Sequence, residues 1–387
     1  MGSIFSRSKV FLFIACWVWI LVLPFMGMRN ASLLSLLVLS SALIPLISSR
    51  LALSRTFLSV SGGLGKIVVW LKNRYKKKKR LMQFAFFWHI IVLFPVFMNN
   101  YKIEALTQAG IYIVLSLGLN VVVGLTGLLD LGYIAFYAVG AYAYALLSTK
   151  LGISFWLALP LGGILSAMLG GLLGMITLRL RGDYLAIVTL GFIQIVHLVL
   201  NNWGSVTNGP NGIGNIGRPR IFNYVFERPI HFYYLILALV FLTIFSVRRL
   251  NNSRIGRAWI AIREDELAAE SMGIDTTSLK VLAFALGAFL AGIAGVFFAG
   301  KFAFVSPESF TFFESVTVLS MVVLGGMGSI PGVILGALII TILPEMFRVL
   351  SSYRMLIFGA ALVLMMIFRP EGLIKRHDPH LEENLNG

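Results

Sequence analysis

Long apolar runs separated by short polar breaks make up most of this chain. A helix needs about 20 mostly apolar residues to cross the hydrocarbon of a bilayer. On that measure, spans are expected at 10–28, 31–47, 81–98, 106–123, 131–147, 155–178, 184–200, 231–247, 281–300, 315–327, 331–349 and 355–368. The pattern predicts an all-α polytopic membrane protein of about 10–12 transmembrane helices. Within 106–147 and 315–349 the apolar character runs through clusters of glycine, so some of these pieces are expected to be half-helices.

Composition agrees with the pattern. The chain is 58% hydrophobic and 12% charged, against roughly 45–50% and 25% for a soluble domain, and its mean hydropathy is +0.89. A soluble enzyme, a disordered chain and a disulfide-stapled secreted domain are excluded. The lone Cys16 can form no intramolecular disulfide. The formal charge of +16 is explained by basic residues flanking spans, with no call on nucleic acid. Lys and Arg collect in cytoplasmic loops. With both termini inside, Arg7, Lys9, the run Lys76–Arg80, Arg179, Arg181, the basic residues between Arg248 and Lys280, and those from Arg369 onward all lie on that side. Residues 48–80 hold ten basic residues and no acid, which suits either a topology signal or anionic lipid headgroups. After Pro24 there is no small-x-small cleavage site, so the first span is expected to stay on the chain.

The break Val121-Val122-Val123-Gly124-Leu125-Thr126-Gly127 is echoed by Val322-Val323-Leu324-Gly325-Gly326-Met327-Gly328. The two run in the same direction, which suggests a parallel internal repeat within a core of 106–370. Three spans and a basic loop precede that core over 1–105, and a cytoplasmic tail follows over 371–387. Non-helical backbone cannot face lipid, so each break is either buried in protein or lines a wet path. The competing explanation for any one glycine is close packing of helices. On the path reading, the substrate pathway includes Asn120, Gly124, Gly127 and Asp130 at the first break, and Gly325, Gly326 and Gly328 at the second. Tyr184, Thr189 and Gln194 join it from 184–200. Asp130, between two leucines, is a functional carboxylate if buried. The orientation places it near the cytoplasmic surface, where water would solvate it. Gln194 and His197 are three residues apart on one helix face.

The stretch from Ile255 to Ile274 reads as one amphipathic helix between Gly256 and Gly273, with Ala258, Ala261, Ile262, Leu267, Ala268 and Met272 on its apolar side. Four of the chain's 16 acidic residues, Glu264, Asp265, Glu266 and Glu270, crowd into it. Small residues with a charged rim suit a groove on another protein, whereas a helix lying on lipid usually carries Lys and Arg on its polar face. The surface expected to meet that protein is Arg257, Ala261, Arg263, Glu264, Asp265, Glu266, Ala268, Ala269 and Gly273.

Over 105–374 the chain resembles the permease subunits of branched-chain amino acid ABC importers, of the LivM type. The resemblance rests on several words in order: Leu117–Leu125, Leu178–Gly191, Gly209-Pro-Asn-Gly-Ile213, Gly256-Arg-Ala-Trp259, Arg263–Glu266, Val305–Phe310, Val323–Gly328 and Arg369–Leu373. It implies a bacterial inner-membrane importer assembled from this permease, a homologous second permease, two cytoplasmic ATPases and an extracytoplasmic binding protein. On that resemblance, the Gly256–Gly273 helix docks on an ATPase, and the loop Asn208, Gly209, Pro210, Asn211 and Gly212 faces outside. The substrates implied are Leu, Ile and Val. ATP and Mg belong to the partner subunits, with no cofactor in this chain. The chain departs from the family at Gln194, where an acid is common, at His197, where Arg is common, and at Asn208, where Gly is common.

No P-loop, zinc-protease or serine-hydrolase motif is present. The chain is therefore read as a transporter subunit and not as an enzyme. The alternative is a secondary transporter driven by an ion gradient, which needs titratable groups deep in the bundle. Asp130, His197, Glu314 and Glu345 are the ones near spans.

Overall fold

In the computed structural model, the described residues are 95, 98–177, 180, 182–221, 224–346, 359, 360, 363 and 372–374. The expected spans 10–28, 31–47 and 81–98, the basic loop 48–80 and most of 355–368 and of the tail fall outside them, as do Arg179 and Arg181. The chain divides into two compact units, Met1–Ile103 and Glu104–Gly387.

Every expected span within the described residues is helical. Helix α1 covers Asn100–Leu119 and continues as a π-helix over Asn120–Leu125. Then come α2 (Ile134–Leu151), α3 (Phe155–Thr177), α4 (Asp183–Asn202) and α5 (Pro229–Asn251). A polar connection holds α6 (Arg254–Glu264) and α7 (Glu266–Ser271). The chain then enters α8 (Thr276–Phe302), α9 (Phe312–Gly325) and α10 (Ile330–Met346). Among the described residues, seven helical segments are long and apolar enough to cross a membrane, and α10 is a shorter apolar helix. The protein is an all-α polytopic membrane protein. One short hairpin interrupts it, with β1 (Arg220–Ile221) antiparallel to β2 (Tyr224–Val225) in the polar loop between α4 and α5.

Helix α8 is the centre of the bundle, packed against α2 and α3. Glycine makes this possible by letting backbones meet. A side chain on Gly140 of α2 would collide with the Gly292 backbone of α8, and one on Gly170 of α3 would collide with Ala288. Two hydrogen bonds fix the rotation of these helices. The Tyr133 hydroxyl donates to the Gly287 carbonyl at 2.9 Å, and Ser166 donates to the Phe136 carbonyl at 2.9 Å. Tyr133, Phe136, Phe284 and Phe297 fill the space between them and are essentially inaccessible to solvent.

Two boundaries differ from expectation. The helix that begins the second half of the first break starts at Ile134, not at 131, because residues 127–133 are held as non-helical chain by other elements. The expected single helix from Gly256 to Gly273 is two. Asp265 has extended backbone, and its carboxylate accepts from the amides of Leu267 (2.9 Å) and Ala268 (3.0 Å). A capping carboxylate satisfies the orphan amides of a new first turn, so it ends one helix and starts another.

Candidate functional site

The first break is a problem in backbone hydrogen bonding. Over Asn120–Leu125 the α-helical pattern widens into a π-helix, and the chain then runs non-helical to Tyr133. Polar side chains from other elements take up what the helix no longer satisfies. Arg263 Nη1 of α6 donates to the Gly124 carbonyl at 2.7 Å. The Leu131 amide donates to Thr189 Oγ1 of α4 at 3.0 Å, and the Ile134 amide to Ser315 Oγ of α9 at 3.2 Å. Gly127 has a φ of 73° and lies against the Arg263 side chain.

The second break is joined to the first. Asn120 Oδ1 accepts from the Gly328 amide at 2.8 Å, and a side chain on Gly124 would strike that same amide. Gly326 and Gly328 have φ of 111° and 84°, backbone that only glycine adopts readily. Two carbonyls released at the end of α9 are taken by the C-terminal segment. The Leu373 amide donates to Leu324 O at 2.9 Å and the Ile374 amide to Gly325 O at 3.1 Å. Asn120, Gly124, Gly127, Gly325, Gly326 and Gly328 therefore converge in one node, with Arg263 of the predicted coupling surface inside it.

The other predicted pathway residues lie elsewhere. Thr189 is fully buried and clamps the non-helical segment. Asp130 is fully buried, contrary to the solvated position expected near the surface. Its Oδ1 accepts from the Gly132 amide at 2.8 Å, and its Oδ2 has no hydrogen-bond partner among the described residues. Its burial follows from the docking of 127–133 onto α4 and α9. Tyr184, 73% accessible, and Gln194 stand on the outer face of α4, away from the node.

The α6–α7 element is anchored from beneath. Trp259 is fully buried, with its indole N–H donating to the Leu279 carbonyl at 2.8 Å. Lys280, nearly inaccessible near the start of α8, pairs with Glu266. Ser253 caps α6 by accepting from Gly256 N at 3.2 Å. Asp275 caps α8, and hydrogen bonds from Ser278 hold its carboxyl below the usual carboxylate range. Helix α7 ends in a Schellman turn, with Gly273 (φ 82°) donating to Glu270 O and Ile274 to Ala269 O.

Of the predicted coupling residues, Arg257, Glu264, Asp265, Ala268 and Gly273 are exposed. Ala261 is half-buried, Ala269 is buried, and Arg263 and Glu266 point inward to the bonds just described. Leu267 and Met272, on the apolar side of the expected helix, face outward, 62% and 83% accessible. What a single helical period over both did not show is the restart at Asp265. The Asp-x-x-Ala step at 265–268 was the available signal.

The predicted outer loop is built on turns. Asn208 (φ 61°) donates from Nδ2 to Gly212 O at 2.8 Å. Ile213 and Val305 exchange backbone hydrogen bonds, which ties this loop to the α8–α9 connection. Pro210 and Asn211 are exposed and Gly209 and Gly212 are buried. Among the described residues, no three His, Cys, Asp or Glu side chains group as metal ligands would.

Residues 101–366 match the family model described as "Branched-chain amino acid transport system / permease component". The chain is 47% identical over 316 residues to the high-affinity branched-chain amino acid transport system permease protein LivM of Salmonella typhimurium, covering 76% of this chain and 74% of that one. Identity to LivM of Escherichia coli K12 is 46% over the same length and coverage. Identity to the permease protein LivH of Salmonella typhimurium is 26% over 305 residues, covering 72% of this chain and 96% of LivH. No solved structure matches the chain.

Proposed function

The chain belongs to the permease-component family of branched-chain amino acid transport systems, and from that premise we propose that it forms one half of the translocation path of an ABC importer for leucine, isoleucine and valine. ATP hydrolysis takes place in two separate cytoplasmic subunits, which carry the ATP and Mg. A homologous second permease, akin to the LivH relatives, supplies the other half. An extracytoplasmic binding protein delivers the substrate to the face formed by the loop around Asn208–Gly212. The protein is a multi-pass component of the bacterial inner membrane, with both termini and the α6–α7 element in the cytoplasm. The relatives are named as transport-system permeases, which supports this reading over a carrier driven by an ion gradient.

In this reading α7 is the plug that enters the ATPase. Leu267, Ala268 and Met272 are its apolar tip, and Glu264 and Glu270 form its charged rim. Trp259 and the Lys280–Glu266 pair make the plug rigid against α8. Movement of an ATPase is passed inward by Arg263, which grips the Gly124 carbonyl of the first break. That bond is the single observation that carries the proposal, because it links the docking element to irregular backbone of the kind that lines transport paths.

Two substitutions separate docking from transmission. Met272→Glu places a charge in the proposed interface and is expected to reduce co-purification of the ATPases at least tenfold. Arg263→Met leaves the exposed surface intact, so the ATPases should still co-purify while leucine uptake into proteoliposomes is lost. Normal uptake by Arg263→Met would sink the transmission role.

A further inference from the structure

The outer surfaces of the apolar helices are not alike. On α3 the exposed side chains at Leu157, Leu161, Ile164, Met168, Leu172 and Met175 are apolar without exception, which suits lipid. The outer stripe of α4 runs through exposed Tyr184, Ile187, Gln194, Ile195 and Leu198, with Gly191 half-buried among them. One of these is a poor choice for a lipid-facing surface. Gln194 presents an amide eleven residues into a 20-residue apolar helix, where hydrocarbon leaves it no partner. A polar side chain in a span normally faces other protein or water.

Gly191 is the independent second observation. Every described glycine inside α1, α2, α3, α8, α9 and α10 has a neighbour within 4 Å of where a Cβ would sit. Gly191 has none. Glycine weakens a helix relative to alanine, and elsewhere in this bundle that weakness is offset by backbone approach. At Gly191 no such approach exists among the described residues. A small residue one turn from a polar one is how spans that pack on other spans are built.

We propose that the α4 stripe centred on Gly191 and Gln194 is the seat of the homologous second permease. A helix of that subunit crosses at Gly191 and supplies a hydrogen-bond partner to Gln194. The proposal rests on the two-permease reading above, and it assigns α3 to lipid.

The test uses the complete transporter in membranes. A photo-reactive benzoylphenylalanine is placed at Ile187 or Leu198 on α4, and at Leu161 or Met168 on α3. Irradiation should give an adduct with the combined mass of the two permeases from the α4 positions, at least fivefold above the α3 positions. Gly191→Phe should cut recovery of the second permease at least fivefold, while Ile164→Phe leaves it unchanged. If Gly191→Phe lowers the amount of this chain itself, the cross-links still decide. Equal yields from α3 and α4, adducts of α4 within the same chain, or ready labelling of a cysteine at 191 by a membrane-impermeant maleimide each overturn the seat. Cross-links from α3 alone overturn this surface and leave the two-permease reading standing. A purified complex with no second permease means that the functional reading itself has failed.

Discussion

The break after α1 and the break after α9 face the same chemical need and meet it with different parts. The first releases the Gly124 carbonyl and satisfies it with a side chain, Arg263, that belongs to a helix 139 positions away. The second releases the carbonyls of Leu324 and Gly325 and satisfies both with main-chain amides of Leu373 and Ile374. A main-chain closure survives almost any side-chain substitution. A side-chain closure can be cut by one codon, and its donor moves when the helix that carries it moves. The first break is thus the adjustable one and the second the fixed one, with Asn120 tying them together.

Four substitutions probe that asymmetry. The largest effect is expected from Arg263→Met. A partly buried, charge-assisted hydrogen bond is worth about 1.5–3 kcal/mol, so uptake should fall at least tenfold with the ATPases still bound. Leu373→Pro is next, since proline has no amide to donate. It should lower folded yield in detergent, read as a drop in thermal midpoint. Asn120→Leu removes the link between the breaks and leaves the Gly328 amide without its acceptor, at a cost of about 1–3 kcal/mol. Reduced uptake with intact assembly is the expected result. Leu373→Ala should do least, within about twofold of wild-type uptake, because the amide that it retains does the closing. If Leu373→Ala were as damaging as Leu373→Pro, or Arg263→Met harmless, the contrast between the two breaks would be wrong.

Much of the fold was legible in the sequence because crossing hydrocarbon demands long apolar runs, and each segment expected from 106 to 349 holds a helix, with 131–133 and 326–327 as non-helical ends. The breaks were legible as glycine clusters. Their closure was not, since an apolar span says nothing about which face meets which. Nothing local predicts that Asn120 will meet Gly328 across 208 residues. The cytoplasmic element was half legible. Its charges and its Gly273 stop stand out, but one period drawn from Gly256 to Gly273 ignores the restart at Asp265, where a carboxylate caps a new first turn. The burial of Asp130 was missed because it depends on hydroxyls from two distant helices holding the segment in place.

The pairing of Lys280 with Glu266 bears on how the chain is made. Glu266 leaves the ribosome fourteen residues ahead of Lys280, so the carboxylate is already waiting when the lysine emerges. An ammonium this deeply enclosed is costly until it meets its countercharge. No span lies between the two, so they reach the same side of the membrane together and α7 gains its brace there. The contact is therefore local enough to steady α7 before α9 and α10 have been made.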